Sequence, residues 1–172
     1  MTAILPEGWI PSEEGPRGGG MIIGMAPHVE EVKAGRPFVG KAGTRLRAEL
    51  ADLGYGPGDL HIANVVRFFP RNAPNVEDDE VDACLPSLVA EIREVQPKAI
   101  LALGHTAFET LTGMSAAREF TSCRGDWQRI APAFGSDRIP VLPTWHPSYF
   151  DRGGIANIDI WRGDLAKFVA AL

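Results

Sequence analysis

An aromatic ring and an amide stand at two places in this chain where a flat polar ligand could be recognised. Phe38 lies in the turn 35–40, which is rich in glycine and proline, and its ring either packs back on the core or stacks on a ligand. Asn64 lies inside an almost continuously apolar run. A buried amide without a partner costs about 1–3 kcal/mol, so Asn64 either caps a neighbouring loop or hydrogen-bonds the polar edge of a base.

A histidine and an acidic pair are candidates for the same site. His146 precedes Pro147, which keeps the histidine backbone extended at the end of an apolar run. Its imidazole is either a structural side chain, a general acid, or a hydrogen-bond donor to a developing anion. The turn 24–28 follows another apolar run and begins with a glycine, which lets backbone approach a ligand closely. Glu30 and Glu31 lie between this turn and the turn of Phe38, so at least one carboxylate belongs to the candidate site.

Residue spacing and charge exclude several common kinds of site. The turn 24–28 contains neither a Walker phosphate loop nor a dinucleotide fingerprint, and no serine stands in a G-x-S-x-G elbow. The 2 cysteines, Cys84 and Cys123, cannot supply a four-cysteine zinc or iron–sulfur site, and we expect buried free thiols. The net charge of −5 argues mildly against nucleic-acid binding, although a local cluster of arginines can carry such a contact.

Alternating strands and helices must position these side chains. Strands are predicted at 21–26, 61–66, 99–103 and 139–144, and helices at 42–53, 77–95, 104–111 and 157–172. Residues 113–137 are predicted to be irregular, with a small strand near 127–130. The alternation predicts an α/β fold, a three-layer α/β/α sandwich with a central four-stranded parallel sheet. Loops that follow parallel strands meet at one sheet edge, where open α/β sheets bind ligands.

One domain with a short lead-in is the predicted organisation. Residues 1–20 are rich in proline, glycine and glutamate and are expected to be loosely ordered, whereas residues 21–172 form the domain. No apolar run approaches the roughly 20 residues that span a membrane, and the N-terminus does not resemble a secretory signal. We therefore expect a cytoplasmic protein, and we expect it to be a monomer.

Several short motifs, taken in order, resemble the uracil-DNA glycosylase superfamily. The similarity is greatest to its family four, the iron–sulfur enzymes, and it covers roughly residues 20–172. The motifs are Gly24-Met25-Ala26-Pro27-His28, Glu30-Glu31, Gly35-Arg36-Pro37-Phe38-Val39-Gly40, Asn64-Val65-Val66, residues 83–88, Leu103-Gly104-x-Thr106-Ala107, Arg124-Gly125 and His146-Pro147-Ser148.

The resemblance implies a DNA glycosylase that flips out uracil, or a related damaged base, and hydrolyses its N-glycosidic bond. Phe38 matches the ring that stacks on the flipped uracil, and Asn64 matches the amide that pairs with its polar edge. His146 matches the histidine that contacts the O2 side as the bond breaks, and Glu31 falls where the family has a carboxylate beside C5. The remaining implied pocket residues are Gly24, Met25, Ala26, Pro27 and Ser148.

DNA is the partner that the resemblance implies. Tyr149 and Phe150 lie in the loop that wedges into the duplex in the family. The further DNA contacts predicted for this chain are Arg67, Arg124 and Arg152.

Departures from the family pattern change what is expected at the site. Of the four cluster cysteines only Cys84 is present, and Phe68 stands where another would be, so we expect no iron–sulfur cluster, metal or cofactor. Met25 replaces the glutamate that positions the attacking water, although family five also has an apolar residue there. His28 replaces a glycine and is a candidate to contact water or the sugar. Two alternatives stay open, namely an inactive uracil- or DNA-binding module and a glycosylase for a different base.

Overall fold

One five-stranded sheet organises the computed structural model, which describes residues 8–135 and 138–172. The strands are β1 (Gly20–Gly24), β2 (His61–Asn64), β3 (Ala99–Leu103), β4 (Gln128–Arg129) and β5 (Pro140–Thr144), in the spatial order β2-β1-β3-β5-β4. The four longer strands are parallel, and β4 is antiparallel to β5 at one edge. The predicted four-stranded parallel sheet is therefore confirmed. The small strand predicted near 127–130 is β4, which joins the same sheet.

Six α-helices connect and cover the strands within the described residues. They are α1 (Val29–Ala34), α2 (Lys41–Asp52), α3 (Asp78–Val95), α4 (His105–Thr112), α5 (Ala116–Cys123) and α6 (Ile158–Val169). Short 3₁₀ helices span Pro132–Phe134, Pro147–Arg152 and Gly154–Asn157. The sequence did not predict α1 and α5, which have 6 and 8 residues. A helix this short shows little of a repeated apolar stripe, and α4, also of 8 residues, was predicted because Gly104 marks its start.

Two apolar layers enclose the sheet and confirm the three-layer sandwich. Successive strand residues point to opposite faces, so Met21 and Ile23 pack with buried side chains of α3 and α4. Ile22 instead packs with buried side chains of α2 and α6. Strands buried on both faces are almost continuously apolar, which is why the strand runs stand out in the sequence. No helix in the described stretches is long and apolar enough to span a bilayer.

The N-terminal segment 8–20 lies along the open edge of β2. Glu13 forms an antiparallel bridge with Ile62, the Ile10 N–H donates to the Arg67 carbonyl at 2.6 Å, and the Gly18 N–H donates to the Val95 carbonyl at 2.8 Å. An edge strand presents unpaired backbone groups, and Glu13 satisfies both backbone groups of Ile62 in β2. The other two bonds join the segment to the chain after β2 and to the end of α3. The composition predicts a loosely ordered lead-in, but residues 10–18 are hydrogen-bonded to the domain. Residues 1–7 of that predicted lead-in lie outside the described residues.

Candidate active site

A ring and an amide meet at the carboxyl ends of β1 and β2. Gly24 is the register partner of Asn64 in the parallel ladder. A Cβ atom on Gly24 would lie 2.5 Å from Phe38 Cζ and 2.6 Å from Asn64 Oδ1. Both side chains therefore rest against the backbone of Gly24, and only a residue without a side chain leaves them this room.

Phe38 adopts a backbone conformation that is rare for an aromatic residue. Its φ is 53°, in the left-handed region, and such strain costs about 1–3 kcal/mol and persists only where the surroundings enforce it. The side chain is buried. The backbone of Gly43 in α2 comes so close that a Cβ there would lie 2.1 Å from the Phe38 carbonyl carbon. Packing of α2 against this turn helps to hold the ring toward Asn64.

The Asn64 side chain is buried but unpaired. The residue is only 5% exposed, and no hydrogen bond found among the described residues involves its amide. The amide atoms are nevertheless not among the fully buried atoms that lack a partner, so they keep some access to solvent. A ligand with a matching donor and acceptor can therefore replace solvent at this amide without breaking a hydrogen bond of the protein. Among the described residues Asn64 caps no loop, so the interpretation that its amide hydrogen-bonds a ligand is the one that remains.

His146 is held as a neutral imidazole with a defined tautomer. The Ser148 N–H donates to His146 Nδ1 at 3.2 Å, and Ser148 Oγ lies 2.8 Å from the same nitrogen. A backbone N–H can only donate, so Nδ1 is the acceptor and the ring proton resides on Nε2. Burial, and then the charge of Arg152, lowers the pKa of His146 to about 4. The ring centre lies 5.9 Å from that of Phe38, so the imidazole belongs to the same candidate site as the Phe38 ring.

Glu31 braces the two loops that form this pocket. Its Oε2 accepts from the His28 N–H and its Oε1 accepts from the Gly40 N–H, both at 3.1 Å. The carboxylate is buried and each oxygen is already engaged. The structure thus gives Glu31 a clear part in joining the turns 24–28 and 35–40, and its place beside C5 of a base stays a prediction.

The turn 24–28 continues the sheet and then opens toward solvent. The carbonyls of Gly24 and Met25 accept from the N–H groups of Val65 and Val66 at 2.9 Å each, while Ala26 is half-buried and Pro27 buried. His28 is exposed, so it lies at the rim of the pocket.

Phe69 is an exposed aromatic at this rim that the sequence analysis missed. It is 42% exposed, and its ring centre lies 6.4 Å from that of His28 in an edge contact. The only sequence signal is the second of two adjacent phenylalanines after the Asn64 strand. Phe68 packs against the core, which leaves its neighbour at the surface.

Arg67 does not lie on a DNA-facing surface, which corrects the prediction for this residue. It is buried, forms an ion pair with Glu91 and donates to Ser12. Burial alone would raise the pKa of Glu91, but hydrogen bonds with His61, Ser12 and Arg67 and the charge of Arg67 outweigh it and lower that pKa to about 2. The guanidinium therefore holds the N-terminal segment to α3.

Phe150 is also misassigned by the sequence. It is buried, with its ring centre 4.9 Å from that of Trp161, and cannot wedge into a duplex without unpacking the core. Tyr149 is half-buried and stacks on Trp145 at 5.1 Å, while its hydroxyl accepts from Asn157 at 3.0 Å. Neither ring stands out from the surface.

The two remaining predicted DNA contacts differ in how their charges are engaged. Arg124 donates to Asp164 at 2.6 Å and covers the Trp145 ring at 4.5 Å, so its guanidinium is already committed. Arg152 is exposed and has no ion-pair partner in the described stretches. Lys41 is 77% exposed and lies on the adjoining helix, where it pairs with Asp151 at 3.2 Å.

The residues around Cys84 do not fit an iron–sulfur cluster. Such a cluster needs four thiolate ligands or close equivalents, whereas Cys84 is buried among apolar side chains that include Phe68. Burial raises the pKa of its thiol, and Cys123 lies in α5. Among the described residues no group of three or more histidine, cysteine or acidic side chains could hold a metal ion.

Comparison with known proteins agrees with this geometry. The family model described as the uracil DNA glycosylase superfamily matches residues 12–159. The chain belongs to the uracil-DNA glycosylase superfamily. This confirms the resemblance that the motifs indicated.

Curated relatives named Type-4 uracil-DNA glycosylase align with most of the chain. The protein of Pyrobaculum aerophilum is 41% identical over 109 residues, covering 63% of this chain and 56% of the relative. That of Thermotoga maritima is 37% identical over 135 residues, covering 77% and 66%. That of Sulfurisphaera tokodaii is 34% identical over 142 residues, covering 81% and 64%. The aligned part thus spans less than two thirds of each superfamily relative's own length.

Proposed function

We propose that this protein excises uracil from DNA by hydrolysing the N-glycosidic bond. The observation that carries the proposal is the amide of Asn64, which lies with the ring of Phe38 against Gly24 and hydrogen-bonds no other group among the described residues. Membership of the superfamily and the names of the relatives support it. DNA is accordingly the proposed partner.

Base selection rests on the Asn64 amide. Uracil presents an N3–H donor beside an O4 acceptor, and an amide supplies the complementary acceptor and donor. Cytosine presents the reverse pattern, so one fixed orientation of the amide distinguishes the two bases. The β1–β2 register beside Gly24 fixes the backbone that carries the amide.

The base must leave the duplex before it can reach this pocket. Extrusion costs a few kcal/mol, and stacking on the Phe38 ring returns about 1–3 kcal/mol. Phe150 is buried and Tyr149 is stacked on Trp145. Phe69 is exposed at the rim of the site. We therefore propose that its ring stacks against the DNA where the extruded base has left a gap in the base stack. Arg152 and Lys41, which are both exposed, are the cations that we propose contact the phosphate backbone.

Bond cleavage depends on stabilising the departing base. The neutral His146 ring donates its Nε2–H to uracil O2, where negative charge builds as the bond to C1′ breaks. Water then adds at C1′ and its proton leaves to solvent or a nearby base. Met25 has a thioether that cannot take this proton, and both Glu31 oxygens hold loops. We therefore propose that leaving-group stabilisation carries most of the catalysis and that excision is slow.

Single-turnover excision from a uracil-containing oligonucleotide tests this proposal. Asn64→Ala removes a bidentate contact worth about 1–3 kcal/mol, so the rate should fall by about 5- to 150-fold. Asn72→Ala is the matched control, because Asn72 is exposed and hydrogen-bonds Glu77 at 2.9 Å on a surface loop. If Asn64→Ala stays within twofold of the parent while it remains folded, Asn64 has only a structural role.

A uracil- or DNA-binding module is the second candidate, and Met25 is the observation that favours it. Tight binding of a uracil oligonucleotide without release of product would support this alternative. Release of another damaged base, but not of uracil, would instead support a glycosylase of different specificity.

A further inference from the structure

A single guanidinium holds the backbone of the Phe38 turn. Arg47 Nε donates to the Phe38 carbonyl at 2.8 Å, and its Nη2 donates to the Pro37 carbonyl at 3.0 Å. The same group makes two further bonds to the Glu13 carboxylate, Nη1 to Oε1 at 3.0 Å and Nη2 to Oε2 at 2.9 Å. The side chains of Arg47 and Glu13 are only 22% and 15% exposed. The pair is thus bidentate and largely shielded from solvent, the geometry in which an ion pair fixes position.

Glu13 is itself fastened to the strand that carries Asn64. The Glu13 N–H donates to the Ile62 carbonyl, and the Ile62 N–H donates to the Glu13 carbonyl, both at 2.9 Å. Ile62 lies two residues before Asn64 in β2. One residue therefore contacts β2 through its backbone and the Phe38 turn through its side chain.

The Glu13 carboxylate is charged at neutral pH. Burial would raise the pKa of this carboxyl, but hydrogen bonds from Arg47 and the charges of Arg47 and Arg36 outweigh burial and keep the pKa below its ordinary value. Arg36 is the more distant partner, at 3.4 Å, and is 52% exposed. Arg47 therefore provides the principal contact.

The strained Phe38 turn needs such a contact to keep its shape. A non-glycine residue at a φ of 53° relaxes unless neighbouring groups oppose it. Arg47 donates a hydrogen bond to the carbonyl oxygen of Phe38. Without this bond the backbone of Phe38 is free to rotate, and such a rotation would move the ring away from Asn64.

We propose that Glu13 and Arg47 are positioning residues for the substrate base, holding the ring of Phe38 at a fixed place relative to the amide of Asn64. This inference rests on the proposed function, because it assigns the two groups to one pyrimidine. It also gives the N-terminal segment a part in the site, since Glu13 lies outside the domain predicted from the sequence.

Conservative variants test the pair without emptying the core. Arg47→Lys keeps the charge but cannot reach two carbonyls and two carboxylate oxygens at once, and Glu13→Gln keeps the shape but removes the charge. Glu49→Gln is the matched control. Glu49 forms a similar multiply bonded pair with Arg162 on α6, its side chain is 16% exposed, and it lies away from the Phe38 turn.

Two measurements separate positioning from general stability. In single-turnover excision, Arg47→Lys and Glu13→Gln should raise the half-saturating enzyme concentration, and the inhibition constant for free uracil, by about 10- to 100-fold, the scale of a displacement near 1 Å. In NMR spectra of the free protein, the ring protons of His146, identified by their loss in His146→Asn, should shift because they sense the Phe38 ring. Neither change is expected in Glu49→Gln.

The outcomes distinguish this inference from the proposed function. If the parent releases no uracil, the proposed function fails, and the His146 resonances still decide whether the pair positions Phe38. If both variants match Glu49→Gln in their His146 resonances, and in uracil affinity where the parent binds it, the pair has only a structural role and the inference is overturned.

Discussion

Adding one methyl group at Gly24 should disable the pocket while leaving the fold in place. The new Cβ would lie 2.5 Å from Phe38 Cζ and 2.6 Å from Asn64 Oδ1, whereas carbon atoms pack best about 3.5–4.0 Å apart. The ring, the amide or both must therefore move by about 1 Å, and a displacement of that size near a reacting centre costs about 100-fold in rate. Gly24 does not have a positive φ, so alanine meets no backbone penalty there. The loss should come from the displaced side chains alone.

The assay is single-turnover release of uracil by Gly24→Ala and by a second glycine-to-alanine variant. Gly163 is exposed in α6, and a Cβ there meets no atom within 4 Å. Gly163→Ala should leave excision unchanged and stabilise the fold by about 1 kcal/mol. Thermal unfolding of Gly24→Ala should reveal an overpacking cost of about 1–3 kcal/mol. Excision by folded Gly24→Ala within twofold of the parent would refute the placement of Phe38 and Asn64 against this glycine.

Three further outcomes are expected. The pKa of His146 is lowered from 6.5 to about 4. The neutral imidazole therefore makes its full contribution to the stability of the fold above pH 6.5, and this contribution is lost as the pH falls from 6.5 to about 4. Excision measured against pH should accordingly decline only toward pH 4, and a midpoint at the ordinary value would contradict the neutral imidazole. Met25→Glu should raise the single-turnover rate at least several-fold if the turn tolerates the charge, since a general base contributes about 10²–10⁴-fold. An unchanged rate in the folded variant would show that the attacking water does not lie beside residue 25. Matched A·T duplexes should release no thymine, because Glu31 is expected beside C5, and efficient thymine release would show that it points elsewhere.

The strands and the long helices could be read from local patterns. The apolar runs before Gly24, at Asn64 and before His146 correspond to β1, β2 and β5, because strands buried on both faces need apolar residues at nearly every position. The predicted boundaries differ from the observed ones by one or two residues. β1 and β2 end two residues before their apolar runs do, whereas β5 ends where it was predicted to end. The short α1 and α5 were missed for lack of a repeat.

Side-chain surroundings were harder to predict, since they depend on residues distant in the chain. Arg67 looked like a surface cation, but Glu91 and the N-terminal Ser12 bury it. Phe150 looked like an exposed wedge, but Trp161 of α6 encloses it. The ordered conformation of residues 10–18 likewise depends on pairing with the open edge of β2, and the composition of the segment does not reveal that edge.

The sequence by itself determined the family, the parallel sheet and the candidate pocket residues, because each depends on motifs or periodicities within short stretches. Only the tertiary structure decided how those residues are arranged. It brought Phe38, Asn64 and His146 together at one sheet edge and fixed the imidazole proton on Nε2. It also left the Asn64 amide without a hydrogen-bond partner among the residues that the structure describes. Hydrogen bonding, burial and the pKa of a histidine depend on which distant groups surround a side chain, and that is settled only when the strands and helices have packed.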